Sequence, residues 1–205
     1  MAQDTQAKYV EFDDIAHCYT LMPDGKPLAS VTTIMKSAGI MYFPQTPALE
    51  RGMKFGNMVH KTCELADLGQ LDEASLDPVL GAYLRAWRAF GADTGFRASE
   101  VEKTIWDASA GYAGTLDRLG VAPPARPWLI DIKTNHCPPW AGVQLAAYAL
   151  ALGLAYPVER FAVVLKSDGR YRLESFKDRS DFQVWRAALA LHNYKRNQKG
   201  DVTQP

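Results

Sequence analysis

Apolar residues in this chain recur at two spacings, and the changes from one spacing to the other divide it into elements. Recurrence every three to four residues predicts helices; alternation, or a short continuous apolar run, predicts strands. Residues 8–32 read as a β-hairpin with an exit strand, with Tyr9, Phe12, Ile15 and Tyr19 as apolar positions, a turn at Asp24-Gly25 and a resumed strand from Leu28 to Thr32. Val31 to Ala38 predicts a short helix closed by Gly39, and Met41 to Gln45 a loop. A long helix is predicted from Thr46, with Pro47 at its first position, to about Leu68, where Gly69 stops it. Asp77-Pro78 opens another, with Val79, Leu80, Tyr83, Leu84, Trp87 and Phe90 at amphipathic spacing and Gly91 or Gly95 at its end.

Three strands are predicted next, at Ser99 to Trp106, Tyr112 to Leu119 and Trp128 to Lys133, the first two separated by a short polar turn as in a hairpin. Pro138-Pro139 breaks the chain, and a helix follows from about Trp140 to Leu152, with Gly153 behind it. Two further strands, Arg160 to Lys166 and Arg170 to Phe176, flank the hairpin signal Asp168-Gly169. Ser180 with Gln183 predicts a capping box for a last helix that buries Phe182, Trp185 and Leu189. That helix ends basic, with Lys195, Arg196 and Lys199, before a tail from Gly200 to Pro205. Strand 128–133, helix 140–152 and strand 160–166 form a βαβ unit. The expected fold class is α/β, a mixed central β-sheet flanked by helices. It is expected as one domain over residues 1–205, with residues 1–95 supplying the hairpin and first helices and 96–200 the sheet and its flanking helices.

Composition narrows the function classes. The chain has 205 residues, 47% hydrophobic and 22% charged, which suits a globular domain with a substantial core. Its formal net charge of zero argues against whole-molecule attraction to a polyanion and leaves room for a local basic groove. No apolar run approaches the roughly 18–20 residues that cross a bilayer, and Met1 to Gln6 lacks a secretory signal's basic and apolar regions. Three scattered cysteines, Cys18, Cys63 and Cys137, read as a reduced, cytoplasmic protein without a disulfide framework.

The candidate chemistry centres on residues 112–133, where two strand-like runs each carry one carboxylate, Asp117 and Asp131. Strand alternation points Asp131 and Lys133 the same way and Ile132 into the protein. Two acids and a lysine at a sheet edge suit a divalent metal and a phosphate. An acid-x-Lys triplet alone arises about once by chance in a chain of this length. The same residues also suit a solvated strand end, with Asp117 paired to Arg118 or another base. Glu100 and Glu102 share a face of the preceding strand. Gly52, Gly56 and His60 fall on one stripe of the long helix, as a surface closely approached or as tight packing against the sheet with a satisfied core histidine. Gln144 and Tyr148, four apart, share a helix face. Trp87, Trp140 and Trp185 sit at core spacing and read as packing.

Taken together and in order, these stretches resemble the PD-(D/E)XK nuclease superfamily, in particular its RecB-like and phage exonuclease branch. Ala-Gly-Thr-Leu-Asp-Arg-Leu (113–119), Asp-Ile-Lys-Thr (131–134) and Gln-Leu-Ala-Ala-Tyr (144–148) look like its successive motifs. Gly-Asn-Met-Val-His (56–60) is similar to its helical histidine motif, Val-Glu-Lys-Thr-Ile-Trp (101–106) to the strand that contributes an acid, and the opening hairpin with Ser-Val-Thr (30–32) to the start of small phage members.

The resemblance implies a restriction-endonuclease-like core and a Mg²⁺- or Mn²⁺-dependent deoxyribonuclease that hydrolyses phosphodiester bonds, an exonuclease of phage or bacterial DNA recombination or repair. By the same resemblance Asp117, Asp131 and the Ile132 carbonyl bind the metal, His60 completes its shell, and Glu102 holds a metal-bound water or a second cation. Lys133 acts on the attacking water and on transition-state charge, and Gln144 and Tyr148 orient the lysine or the phosphates. DNA is the implied partner, with a single-strand annealing protein and a ring-forming homo-oligomer as further implied associations and no membrane. Leu116 stands where the superfamily has its eponymous proline, as is usual in the RecB-like branch, and Glu100 competes with Glu102 for the upstream acid. No cysteine follows Cys137, so the iron–sulfur cluster of some relatives is not expected. The rival reading is a non-catalytic DNA-binding or scaffolding module that keeps the nuclease fold.

Overall fold

The computed structural model describes residues 8–13, 16, 18–44, 46–153 and 158–201, with side chains described as far as Gln198. Ile15, His17, Gln45, the Lys199 side chain and the tail beyond Asp201 therefore lie outside the described residues.

Helices α1, α2 and α3 start where a short polar side chain satisfies a free backbone N–H. Helix α1 (Val31–Ser37) is capped by Ser30, whose hydroxyl accepts from Thr33 N at 3.0 Å. Helix α2 (Pro47–Asp67) is capped by Thr46 with Pro47 in the first turn, and α3 (Pro78–Thr94) by Asp77, which accepts from Val79 N at 2.7 Å. Gly39, Gly69 and Gly95 follow these helices in left-handed conformation, which ends a helix without strain. A single 3₁₀ turn, Glu73–Ser75, lies between α2 and α3. Helix α4 spans Ala141–Ala151 and α5 spans Ser180–Asp201. The expected Ser180 capping box is replaced. Ser180 already lies in α5, and its N–H donates to the Asp178 carboxylate at 2.8 Å, so the acid two residues upstream takes the capping role.

Eight strands among the described residues form one mixed sheet. They are β1 (Tyr9–Asp13), β2 (Cys18–Met22), β3 (Lys26–Ser30), β4 (Arg97–Asp107), β5 (Tyr112–Ala122), β6 (Arg126–Thr134), β7 (Glu159–Leu165) and β8 (Tyr171–Ser175). The order runs β1-β2-β3-β5-β6-β7-β8, with β4 paired to β5. Strands β6 and β7 are parallel and joined through α4, the expected βαβ unit, and β7–β8 is a hairpin turned at Gly169.

The core lies in two layers. Helices α1, α4 and α5 pack on one face through Ile34, Met35, Leu145 and Trp185 against Tyr112, Leu116 and Leu129. Helices α2 and α3 cover the other through Val59, Cys63, Trp87 and Phe90 against Ile130, Ile132 and Val163. Ile132 is thus buried as expected, on the face opposite α4.

Strand β5 carries the irregularity that makes the site. One edge is paired along its length by β4. The other is shared: β3 pairs it in parallel at Tyr112 and Ala113, and β6 antiparallel from Arg118 to Ala122. Residues 114–117 have no strand partner on that edge. Alternation also slips there, because Leu116 and Leu119 lean on the same α1/α4/α5 cluster although three residues apart. Opposite, on β4, Glu102 takes a left-handed φ of 47°, and a register shift lies between Ala98 and Glu100. At that bulge Gly120 allows the strands to cross closely, since a Cβ there would stand 2.1 Å from the Arg97 carbonyl oxygen. Gly120→Ala is expected to destabilise the protein by about 1–3 kcal/mol, lowering the thermal unfolding midpoint by several degrees. An unchanged midpoint would mean that the strands do not cross so closely.

Candidate active site

The gap in β5 collects the acids. Asp117 sits in it, and its Oδ2 accepts the Ile132 N–H at 2.6 Å from β6. Helix α2 brings His60, whose Nδ1 lies 3.5 Å from the same Asp117 oxygen. Strand β4 brings Glu102, and one ligand atom each from His60, Glu102 and Asp117 falls within 4.8 Å of the others. The left-handed turn at Glu102 breaks the face-sharing expected of Glu100 and Glu102. Glu100 instead lies on the outer side, ion-paired to Lys103 at 2.7 Å, which separates the two candidate acids.

A second group adjoins the first along β6. Asp131 is buried, 2% exposed, and the Lys133 ammonium stands 2.9 Å from its Oδ1 and 2.7 Å from its Oδ2. Only Oδ1 receives a well-directed hydrogen bond; Oδ2 is buried without one. Lys133 Nζ also lies 3.5 Å from Gln144 Oε1, and Gln144 Nε2 donates to the Tyr148 hydroxyl at 3.0 Å. Both polar residues belong to a helix that is buried from Ala141 to Ala149, so their hydrogen-bonding groups must be satisfied by each other or by the site. Gly114 makes room for this arrangement, since a Cβ there would stand 2.8 Å from the Tyr148 ring. The Lys133 ammonium lies 5.3 Å from the Trp140 ring centroid, so Trp140 touches the site as well as the core, whereas Trp87 and Trp185 pack as expected.

The structure therefore brings His60, Glu102 and Asp117 into one cluster and Asp131, Lys133, Gln144 and Tyr148 into a chain beside it. The Ile132 amide is the link between them. In an extended strand the N–H and C=O of one residue point to the same edge, so the Ile132 carbonyl faces the gap too. The glycine stripe reads differently from the tight packing considered for it. A Cβ at Gly52 would meet nothing within 4 Å, and one at Gly56 only Thr134 Oγ1 at 3.8 Å. Alanine at either position is expected to raise stability by up to about 1 kcal/mol, measured by denaturant unfolding, and a loss there would show that the helix face is not open.

Arg118 was legible only as a partner for Asp117. Its side chain is fully buried and reaches elsewhere: Nε donates to Asp67 Oδ2 at 2.7 Å and Nη1 to Glu102 Oε1 at 2.8 Å. The available signal was the Asp117-Arg118 pair itself. A charged residue on a strand covered on both faces needs a buried partner.

Two of these acids, Glu102 and Asp131, carry their charge at a cost. Burial, then the Asp117 carboxylate, pushes Glu102 up to about 7. Burial pushes Asp131 up to about 6, against the opposing pull of Lys133. Burial also works against the Lys133 charge, but Asp131 and Asp117 outweigh it and hold the ammonium above its usual range. Burial, then Asp131 and Asp117, keeps the Tyr148 hydroxyl protonated. The donors are carboxylate oxygens and an imidazole, one buried oxygen lacks a hydrogen bond, and the set suits a hard or borderline divalent cation.

No protein-family profile matches this chain, and no curated protein matches it by sequence. Among solved structures it is similar to LHK-Exo in complex with dAMP, at 13% identity and a TM-score of 0.43 over 86% of this chain and 95% of that one. A second structure of LHK-Exo, an alkaline exonuclease from Laribacter hongkongensis, aligns at 13% identity and a TM-score of 0.37 over the same shares. Likeness at that distance assigns no chemistry; the side chains must carry it.

A raised carboxyl pKa means that the folded protein keeps a proton that the unfolded chain has released. The stability linked to Glu102 and Asp131 is therefore fully present below about pH 4 and is lost as pH rises through about 6 and 7. The melting temperature of the metal-free wild type is therefore expected to fall between about pH 4 and pH 8, and Asp131→Asn, which removes one of the two titrating carboxyls, is expected to flatten that fall. A divalent cation should stabilise the wild type more at pH 8 than at pH 5, because protons compete for its ligands. Differential scanning fluorimetry across that range checks both signs.

Proposed function

We propose that this protein is a divalent-metal-dependent deoxyribonuclease that hydrolyses phosphodiester bonds. One observation carries the reading: a His60–Glu102–Asp117 cluster lies beside a buried Asp131 whose second oxygen lacks a hydrogen bond, with a lysine ammonium on the same carboxylate. A surface ion pair has no use for three acids forced together at a break in a sheet, whereas a cation site does. The residues proposed to hold the cation are Asp117, Asp131 and the Ile132 carbonyl, with His60 and Glu102 completing the shell. The ion would be Mg²⁺ or Mn²⁺, and it would polarise a phosphoryl oxygen and lower the pKa of a bound water.

The chain's own groups would do the rest. Lys133 is 16% exposed at its side chain and charged, so it can donate hydrogen bonds to a non-bridging phosphate oxygen and stabilise the negative charge that grows as water attacks phosphorus. Asp131 holds the ammonium from one side, while Gln144 approaches it from the other and is itself fixed by Tyr148. Trp140 beneath the ammonium limits its swing. Hydrolysis forms the bond from water oxygen to phosphorus and breaks the bond from phosphorus to the leaving sugar oxygen, which takes up a proton.

Cleavage from DNA ends, in phage or bacterial recombination or repair, is the form of the activity we favour, on the ordered motifs of residues 56–148. Wild-type protein with Mg²⁺ or Mn²⁺ is expected to degrade end-labelled linear duplex and to leave covalently closed circles intact. Asp131→Ala and Lys133→Ala are each expected to lower the rate by at least about 100-fold, as loss of a group acting on transition-state charge does. A wild type without metal-dependent cleavage, or variants that cleave equally well, would refute the assignment. Nicking of closed circles would replace the exonuclease by an endonuclease.

A further inference from the structure

Arg118 lies behind the metal-ligand candidates rather than among them. Its guanidinium has no exposed surface and lies 5.6 Å from the Trp87 ring centroid. It donates to Asp67 Oδ2 at 2.7 Å, to Glu102 Oε1 at 2.8 Å and to the Asp117 carbonyl oxygen at 2.6 Å. Asp67 is fixed in turn, because Trp87 Nε1 donates to its Oδ1 at 2.9 Å. Arg118 Nη2 is buried with no hydrogen-bond partner.

As a stabilising device this arrangement is poor. A buried ion pair returns little net stability after desolvation, and an apolar side chain of similar volume often serves as well or better. A buried donor left unsatisfied adds a further penalty. What the guanidinium supplies is direction. Its fixed planar fork reaches three partners at set angles, which a flexible ammonium cannot do. The partners lie on three elements. Asp67 is the last residue of α2, the helix that carries His60. Glu102 is in β4, at the left-handed backbone position. The Asp117 carbonyl is in β5, on the residue whose carboxylate meets His60.

Building on the nuclease reading above, we propose that Arg118 is a positioning residue that sets the spacing of the His60–Glu102–Asp117 cluster. It ties the end of α2 to β5 and holds Glu102 by one oxygen, so that three donors from three elements meet at one point before any cation arrives. It touches neither cation nor substrate. Asp67 and Trp87 fix its far side, so the unit extends from the α2–α3 interface to the site.

The test measures Mn²⁺ binding to the intact protein by isothermal titration calorimetry, together with the Mn²⁺ dependence of DNA cleavage. Wild type is compared with Arg118→Lys, which keeps the charge and loses the fork, and with Asp67→Asn, which weakens only the α2 arm. Both variants are expected to unfold cooperatively, to bind Mn²⁺ about 10–100-fold more weakly, and to recover most of the wild-type turnover at saturating Mn²⁺. Folded variants with wild-type Mn²⁺ affinity, or with losses that follow their melting temperatures and are not recovered by Mn²⁺, would reduce Arg118 to a core residue. A wild type that binds Mn²⁺ and cleaves, beside variants that match it, defeats the positioning role alone; a wild type that does neither defeats the nuclease reading as well.

Discussion

Where β5 and β6 part, an amide inside the protein would lose its ladder partner, and a buried N–H without an acceptor is expensive. The Asp117 carboxylate supplies the acceptor by taking the Ile132 N–H at 2.6 Å. The site depends on this substitution. It lets the two strands separate without an orphaned donor, turns a carboxylate into the gap, and leaves the Ile132 carbonyl facing the same way. The strand carrying Asp131 and Lys133 therefore enters the site in a register fixed by one of the site's own acids. The residue proposed to hold a cation is also the residue that permits the opening in which the cation would sit.

The charges around that opening explain why it needs so many partners. Asp117, Glu102 and Asp131 gather in a partly buried space where like charges repel strongly. Their permanent counter-charges approach from opposite faces of the sheet, Lys133 on the α4 side and Arg118 on the α2 side. Neither suffices, since Glu102 and Asp131 are still held above their ordinary range. An apolar core would be more stable. The residual repulsion is a property suited to a site completed by a divalent cation.

Much of the fold was legible because its signals are local. Thr46-Pro47, Asp77-Pro78 and the glycines after α1 to α4 mark boundaries that need no tertiary information, and the strand–helix–strand order over 128–166 predicted the parallel pairing of β6 and β7. The capping of α5 was misplaced because Ser180 and Asp178 both offer an oxygen, and only the backbone path decides which one reaches Ser180 N. The site was legible in its residue types but not in its grouping. Period-two alternation placed Glu100 beside Glu102, and the left-handed φ at Glu102 undid that. Nothing in a run of glutamate, valine and lysine announces a backbone reversal. It falls opposite Asp117, two residues along β4 from the register shift that lies across from Gly120.

The break in alternation between Leu116 and Arg118 decides where Arg118 goes. Had alternation held through Asp117, residues 116 and 118 would share a face, and the arginine would enter the apolar layer of Leu116, Tyr112 and Leu145. The break sends it to the other face, where Asp67 and Trp87 close the α2–α3 interface. The same irregularity leaves Asp117 in the gap between β5 and β6, its carboxylate on the Ile132 N–H and beside His60, and sends the guanidinium behind Glu102 to Asp67. Regular strands could have carried the core equally well. Bringing a histidine from a helix, an acid from each of two strands and a lysine from a third to one place requires a strand that changes face partway along its length.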